Sequence, residues 1–275
     1  MYRLLSPIKT IDILLYLLTV LVFTSPAHCI QITVATGVND DPPYVYGDSQ
    51  IATLYPGITI EILKLIEAKY DIQFIVKKLP WKRVVAKVKD NSLDGGFHFS
   101  YKPLRKFFVA YPILTGKAVP DPKYSISNRS YSLYRFKGQT IYWNGQQFIS
   151  NPPHKLNIAA IRGGSITQDI QELGHHLTAV SNDQQLLDLL LARRVDVFVA
   201  LENMLDPKIR TLAPKSRLLI EKTHPPVVNK PYYIAFSKRF YKEHKEIAWN
   251  IWNTIQHIKQ SGKLDDIYTR YSNRK

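Results

Sequence analysis

The chain reads as an α/β protein of two lobes, each with a mostly parallel sheet flanked by helices, and three observations predict this. Residues 32–99 alternate between strand and helix periodicity in the order β-α-β-α-β. Residues 156–200 repeat the plan, with a glycine turn between strand and helix. After Pro225-Pro226 a strand pattern and a long amphipathic helix return. Alternation of this kind implies parallel strands joined by right-handed crossovers, and two such units with a C-terminal return leave a cleft between them.

The elements follow in order. Ile32-Thr33-Val34-Ala35-Thr36 alternates as a strand, and Gly57 opens a helix whose Ile58, Ile62, Leu65 and Ile66 share a face. Gln73-Phe74-Ile75-Val76 is the second strand. A helix from Pro80 carries Trp81, Val84, Val85 and Val88 on one face, with proline in the first turn, where its missing N–H costs nothing. Asp94-Gly95-Gly96-Phe97-His98-Phe99 is the third strand. In the middle third, Leu156–Ile161 is a strand running into Arg162-Gly163-Gly164-Ser165. Ser165-Ile166-Thr167-Gln168 and Ser181-Asn182-Asp183-Gln184 both have the form of a capping box, predicting helices that start at each serine. Val195–Ala200 is a buried strand, Tyr232–Phe236 another, and Phe240 to Ile258 one long helix stopped by Gly262, with a short helix over Leu264–Tyr271.

Composition narrows the class. With 275 residues, 45% of them hydrophobic and 21% charged, the chain can bury one or two ordinary cores. The formal charge of +15 is spread along it: the excess is +4, +4 and +6 over residues 30–120, 121–224 and 225–275. A nucleic-acid binder concentrates charge on one face or helix, so the reading is a solvated basic surface and no nucleic-acid partner. One cysteine, Cys29, leaves neither a disulfide framework nor a multi-cysteine metal site.

Residues 1–29 read as a secretory signal peptide. Arg3 and Lys9 precede the apolar run Ile13–Phe23, and Ser25 and Ala27 fit cleavage after Ala27, with a cut after Cys29 also tolerable. The run falls well short of the roughly 20 residues that span a bilayer. The expectation is export to the periplasm.

Several local motifs, in this order and spacing, carry a family resemblance. They are Pro42-Pro43-Tyr44 after the first strand, Pro56-Gly57-Ile58-Thr59-Ile60-Glu61, Leu93-Asp94-Gly95-Gly96, Ser100-Tyr101-Lys102-Pro103-Leu104-Arg105, Tyr111-Pro112, Arg194-Val195-Asp196, and Ser261 to Tyr268. Together they resemble the bacterial extracellular solute-binding proteins of family 3, periplasmic receptors associated with polar amino acid uptake. The resemblance implies a type II periplasmic binding fold, with lobe 1 from residues 30–120 plus 225–275 and lobe 2 from 121–224. Two crossings between the lobes are expected near Val119–Ile126 and Thr223–Tyr232. It implies a monomer that holds a small-molecule ligand in the cleft without metal or organic cofactor and hands it to an inner-membrane permease of an ABC-type uptake system.

The site residues are implied in the same way. Arg105 would present a planar guanidinium to a ligand carboxylate, assisted by Ser100; the plain alternative is a surface ion pair. The turn Arg162, Gly164 and Ser165 would offer backbone N–H groups from the opposing lobe, or only cap a helix. Tyr44 and Trp81 match the family's aromatic walls, although Trp81 could equally pack in the core. His98 would fill or titrate in the pocket, or be an ordinary hydrogen-bonded histidine.

Some positions depart from the family. Leu201 stands where amino acid receptors carry the aspartate that pairs with the ligand ammonium, with Glu202 beside it, and Thr59 and Lys102 replace the usual Asp and Thr. A carboxylate-bearing ligand without an α-amino group fits these residues at least as well as an amino acid. Two alternatives to transport stay open. One is a ligand sensor for a membrane partner; the other is a dehydratase-like enzyme using His98 and Glu202, since fold does not decide function.

Overall fold

The structure is a computed structural model that describes residues 29–47 and 54–272. The signal peptide expected over residues 1–29 lies, Cys29 apart, outside the described residues.

Strands β1 (Ile30–Gly37), β2 (Ile72–Leu79) and β3 (Gly95–Ser100) run parallel with β1 in the centre. Between them cross helices α1 (Ile58–Glu67) and α2 (Trp81–Lys89). The alternation of β1 decides its packing. Ile32 and Val34 face one core with the buried Ile58, Ile62 and Ile66 of α1, while Ala35 faces another with Val84 and Val88 of α2. Pro80 stands one residue earlier than expected, as the N-cap of α2.

The chain continues through β4 (Val109–Ala110) into β5 (Ser127–Phe136), then a hairpin of β6 (Ile141–Trp143) and β7 (Phe148–Ser150). The second parallel unit is β8 (Asn157–Ile161), α3 (Ser165–Glu172), β9 (His176–Val180), α4 (Asp183–Leu191) and β10 (Val197–Leu201), with β8 central. Helices α5 (Glu202–Thr211) and α6 (Pro214–Arg217) and the short β11 (Ile220–Lys222) lead into β12 (Val228–Ser237). The C-terminal return is α7 (Lys238–Glu243), α8 (Lys245–Gln260) and α9 (Lys263–Ser272). The expected single long helix is thus two, broken at His244, whose φ of −130 and ψ of 44 leave the helical region. Trp252 of α8 is fully buried and donates to Ile234 O at 2.8 Å, seating the return on β12.

The two long strands join the lobes. Residues 127–131 of β5 pair antiparallel with 232–228 of β12. Beyond that stretch β5 continues against β10 and β12 against β3. The sheet order is therefore β2-β1-β3-β12-β5-β10-β8-β9, one hydrogen-bonded path through both lobes.

Both capping boxes shift by one residue. The N-cap of α3 is Gly164, so Ser165 is the first helical residue rather than the cap. At α4 the cap is Asn182, whose side chain accepts from Gln185 N, while Gln185 Oε1 accepts from Ser181 N at 2.8 Å. At α1 the cap comes from a neighbouring turn: Ile58 N donates to Pro43 O and Thr59 N to Tyr44 O, both at 3.0 Å. That approach needs a glycine, because a Cβ on Gly57 would lie 2.2 Å from Tyr44 O at a φ of +115. Gly57→Ala should lower stability by about 2–4 kcal/mol in urea denaturation; an unchanged midpoint would contradict the close approach.

Candidate ligand-binding cleft

Between the lobes lies a cavity of about 150 Å3. Its first wall is built from β3 and the turn after it. Gly95 and Gly96 let neighbouring backbone come close; a Cβ on Gly96 would meet Ala35 O at 2.8 Å. The strand then delivers His98 and Ser100 to the cavity. His98 has a φ of 65, and the pairing of β12 with β3 shifts register between Tyr233 and Ala235. This local irregularity turns the imidazole onto Thr59 Oγ1, 2.9 Å from Nε2.

A single helical turn over Pro103–Phe107 presents Arg105, which is buried rather than on the surface. Arg105 Nη1 donates to Ser100 O at 2.9 Å, and Nη2 donates to Gly163 O of the opposite lobe at 2.9 Å. Trp81 Nε1 donates to the same Gly163 carbonyl at 3.1 Å. Trp81 serves core and cleft together, since its ring also packs on Phe99 at a centroid distance of 4.8 Å. The opposite wall is the Gly163–Ser165 turn with an apolar face of Ile161, Ile166, Leu201 and Met204.

The floor is made by the two joining strands. Tyr131 of β5 and Tyr232 of β12 are buried, and Tyr232 OH donates to Tyr131 OH at 2.9 Å. Two residues before Tyr131 on the same face, Arg129 donates from Nη1 to Asp41 Oδ2 at 2.6 Å. The guanidinium lies over the Tyr44 ring at 4.2 Å and over Tyr232 at 5.1 Å. Asp41 also accepts from Asn203 Nδ2 at 2.8 Å, so α5 of the second lobe reaches the first. Burial works to raise the Asp41 pKa, but the adjacent Arg129 guanidinium outweighs it and holds the carboxyl far below its usual range.

A second cluster straddles the cleft. Asp169 of α3 is bonded by Lys102 from the turn after β3 and by Lys230 of β12 at 2.5 Å. Burial pulls Asp169 upward, and the two lysine hydrogen bonds bring it below its usual value. Lys230 also donates to Ser165 Oγ at 3.3 Å.

Of the residues singled out from the sequence, Trp81, His98, Ser100, Arg105, Gly164 and Ser165 line this cavity. Tyr44, Arg162 and Glu202 do not. Tyr44 packs beneath Arg129 and borders an outer groove. Arg162 is exposed in part and donates from Nη2 to Ala179 O at 3.0 Å. Glu202 borders the same outer groove, accepting from Ser132 Oγ at 2.5 Å with Lys222 Nζ 3.6 Å away. It is the first residue of α5, directly after Leu201 at the end of β10, which does line the cavity. His98 and Glu202 therefore open on different spaces. Sequence reasoning missed Asp41, Arg129 and Tyr131. Asp41 directly precedes Pro42-Pro43-Tyr44, and Ser127, Arg129 and Tyr131 alternate inward along a strand, which is the signal that would have found them.

His98 is buried beside a cation, and both burial and Arg129 lower its pKa, from the ordinary 6.5 to about 4, against the pull of Asp41. Its Nδ1 lies 2.9 Å from Asp41 Oδ2, off the line of a good hydrogen bond. The imidazole is neutral at neutral pH. The unfolded chain takes up this proton near 6.5 and the folded one only near 4, so acidification through that window favours unfolding. Stability should fall by on the order of 2–3 kcal/mol between pH 6.5 and pH 4 through His98. His98→Gln should flatten that slope in urea melts; an unchanged slope would remove His98 as its source.

No curated protein matches the chain. Among solved structures, a histidine kinase sensor domain with similarity to periplasmic binding proteins aligns with a TM-score of 0.67 at 14% identity, covering 88% of this chain and 96% of that one. The amino acid ABC transporter substrate-binding protein AbpA from Streptococcus pneumoniae, bound to L-arginine, aligns at 0.63 and 17%, covering 88% and 94%. A P235GK mutant of ArgBP from T. maritima gives 0.63 and 14%, covering 89% and 96%. At such identities the likeness shows the fold, the type II periplasmic binding fold. The description "Bacterial extracellular solute-binding proteins, family 3" matches residues 32–274, and with nearly all of its length so matched the chain belongs to that family of solute-binding proteins.

Proposed function

We propose that the protein is an exported, periplasmic receptor that captures a small carboxylate-bearing solute between its lobes and delivers it to an inner-membrane permease as a monomer. Lobe 1 in this reading comprises residues 30–120 and 225–275, and lobe 2 residues 121–224. One observation carries it: Arg105 is buried at the cavity, yet its hydrogen bonds go to the carbonyls of Ser100 and Gly163 and to the Ser100 hydroxyl, not to a carboxylate. A carboxylate accepts two parallel bonds from a guanidinium more strongly than neutral carbonyls do. Ser165 lines the same cavity from the opposite lobe, while the Gly164 N–H expected to join it is taken by Ile161 O at 3.0 Å; an anion held between Arg105 and Ser165 favours the lobes coming together.

The match to a histidine kinase sensor domain favours a second reading, in which capture is reported to a membrane partner. Cells lacking the protein separate the two: loss of uptake supports transport, and loss of a response with uptake intact supports sensing.

A thermal-shift screen of organic acids, amino acids and oligopeptides tests the main reading, since a ligand at 100 times its Kd stabilises by about 2.7 kcal/mol. Arg105→Ala should weaken binding of the hit about 30- to 1000-fold by calorimetry. Arg105→Lys should recover little, because one ammonium cannot reproduce two parallel bonds. Near-wild-type affinity in a folded Arg105→Ala protein would remove Arg105 from the site.

A further inference from the structure

The cavity holds a second guanidinium that binding at Arg105 leaves unused. Arg129 is 5% exposed. Its Nε donates to Ser127 Oγ at 3.2 Å and its Nη1 to Asp41. Its Nη2 is buried and has no hydrogen-bond partner among the described residues. An unpaired charged N–H in a low-dielectric interior is costly, so a group that completes it gains more than it would at the surface. Arg129 lines the same cavity as Arg105. Arg129 lies over the Tyr232 ring at 5.1 Å, and Tyr131 and Tyr232 line the cavity together with both guanidiniums.

The charges point the same way. Of the charged groups that line the cavity, Arg105 and Arg129 face Asp41, which leaves a surplus of one positive charge. The other lining carboxylate, Asp183, is neutralised by Lys208 at 3.0 Å. Among the described residues no carboxylate that lines the cavity is therefore free to meet an ammonium, and the second-lobe wall offers Leu201 and Met204 instead.

We propose that the ligand is a small dicarboxylate without an amino group, one carboxylate held by Arg105 and the Gly163–Ser165 turn and the other by Arg129. This rests on the carboxylate reading of Arg105 given above. Two charges at the ends of a short chain suit two separate guanidiniums, whereas a single dianionic centre such as phosphate places both charges at one of them.

Calorimetry on the mature chain tests this with succinate, glutarate and adipate against butyrate, valerate and hexanoate, with L-glutamate and inorganic phosphate as further arms. At least one diacid should bind about 10- to 100-fold more tightly than its chain-matched monoacid, and more tightly than L-glutamate or phosphate. Arg129→Lys keeps the charge opposite Asp41 but loses the second N–H edge. It should weaken the best diacid at least about tenfold while the monoacid changes less than about threefold; a merely structural Arg129 would lower both together. Where Arg129→Lys does not fold, the wild-type ratios decide. Monoacids binding as well as diacids, or glutamate or phosphate binding best, would overturn the dicarboxylate while leaving Arg105 as a carboxylate anchor. Binding of none of the carboxylates would overturn both.

Discussion

Burying a carboxylate and a guanidinium costs several kcal/mol for each ion, and only full hydrogen bonding offsets it. Asp41 and Arg129 meet that condition, Arg129 Nη2 excepted, at the point where the first lobe touches the joining strands. Asp41 closes a tight turn with Val45, and the carbonyls that follow cap α1. Asn203 ties the same carboxylate to the second lobe. Tyr44 and Tyr232 sandwich the guanidinium, and His98 fills the remaining side in its neutral form. Removing one partner of such a pair leaves an uncompensated buried charge, a loss of about 3–5 kcal/mol. The position of β3 relative to α1, and with it the aim of Ser100 and Arg105, follows from this cluster.

The two lobes contribute unlike chemistry to the cleft. The first and the joining strands bring the two guanidiniums and Asp41; the second brings a glycine turn, an apolar face and the start of α4, where Asp183 is paired with Lys208. Contacts across the cleft run through Gly163, which accepts from Arg105 and Trp81, and through Asp169, which gathers Lys102 and Lys230. A backbone carbonyl is a modest partner for an arginine, and an anion entering the cleft competes with it on better terms. Ligand capture and lobe approach are in this way coupled through the same few donors.

Membership in the solute-binding family fixes the scaffold and leaves the ligand to the lining, since one fold hosts many chemistries. Leu201 makes the point: the strand end that could carry an ammonium partner carries an apolar side chain, and Glu202 on the next position faces an outer groove. The chain leaves β10 at Leu201 and enters α5 at Glu202, so the two side chains part where strand gives way to helix.

Periodicity determined much of this protein from the sequence alone. Strands such as β1, β3 and β10, buried along most of their length, and helices with one apolar face, such as α1 and α2, announce themselves through local spacing, which is a property of the backbone. Arg105 is legible through the family resemblance, at the family's step from Ser100. Other features depended on partners distant in the chain. Edge strand β9 is only partly buried, and the strands of the β6–β7 hairpin, three residues each, are too short to show a period. The break at His244 belongs to the packing of α7 and α8. Arg129 looks like one surface arginine among many until β5 crosses the molecule and brings it 88 residues back along the chain to Asp41. Burial of charge is decided by what the fold places opposite it, and only the tertiary structure supplies that.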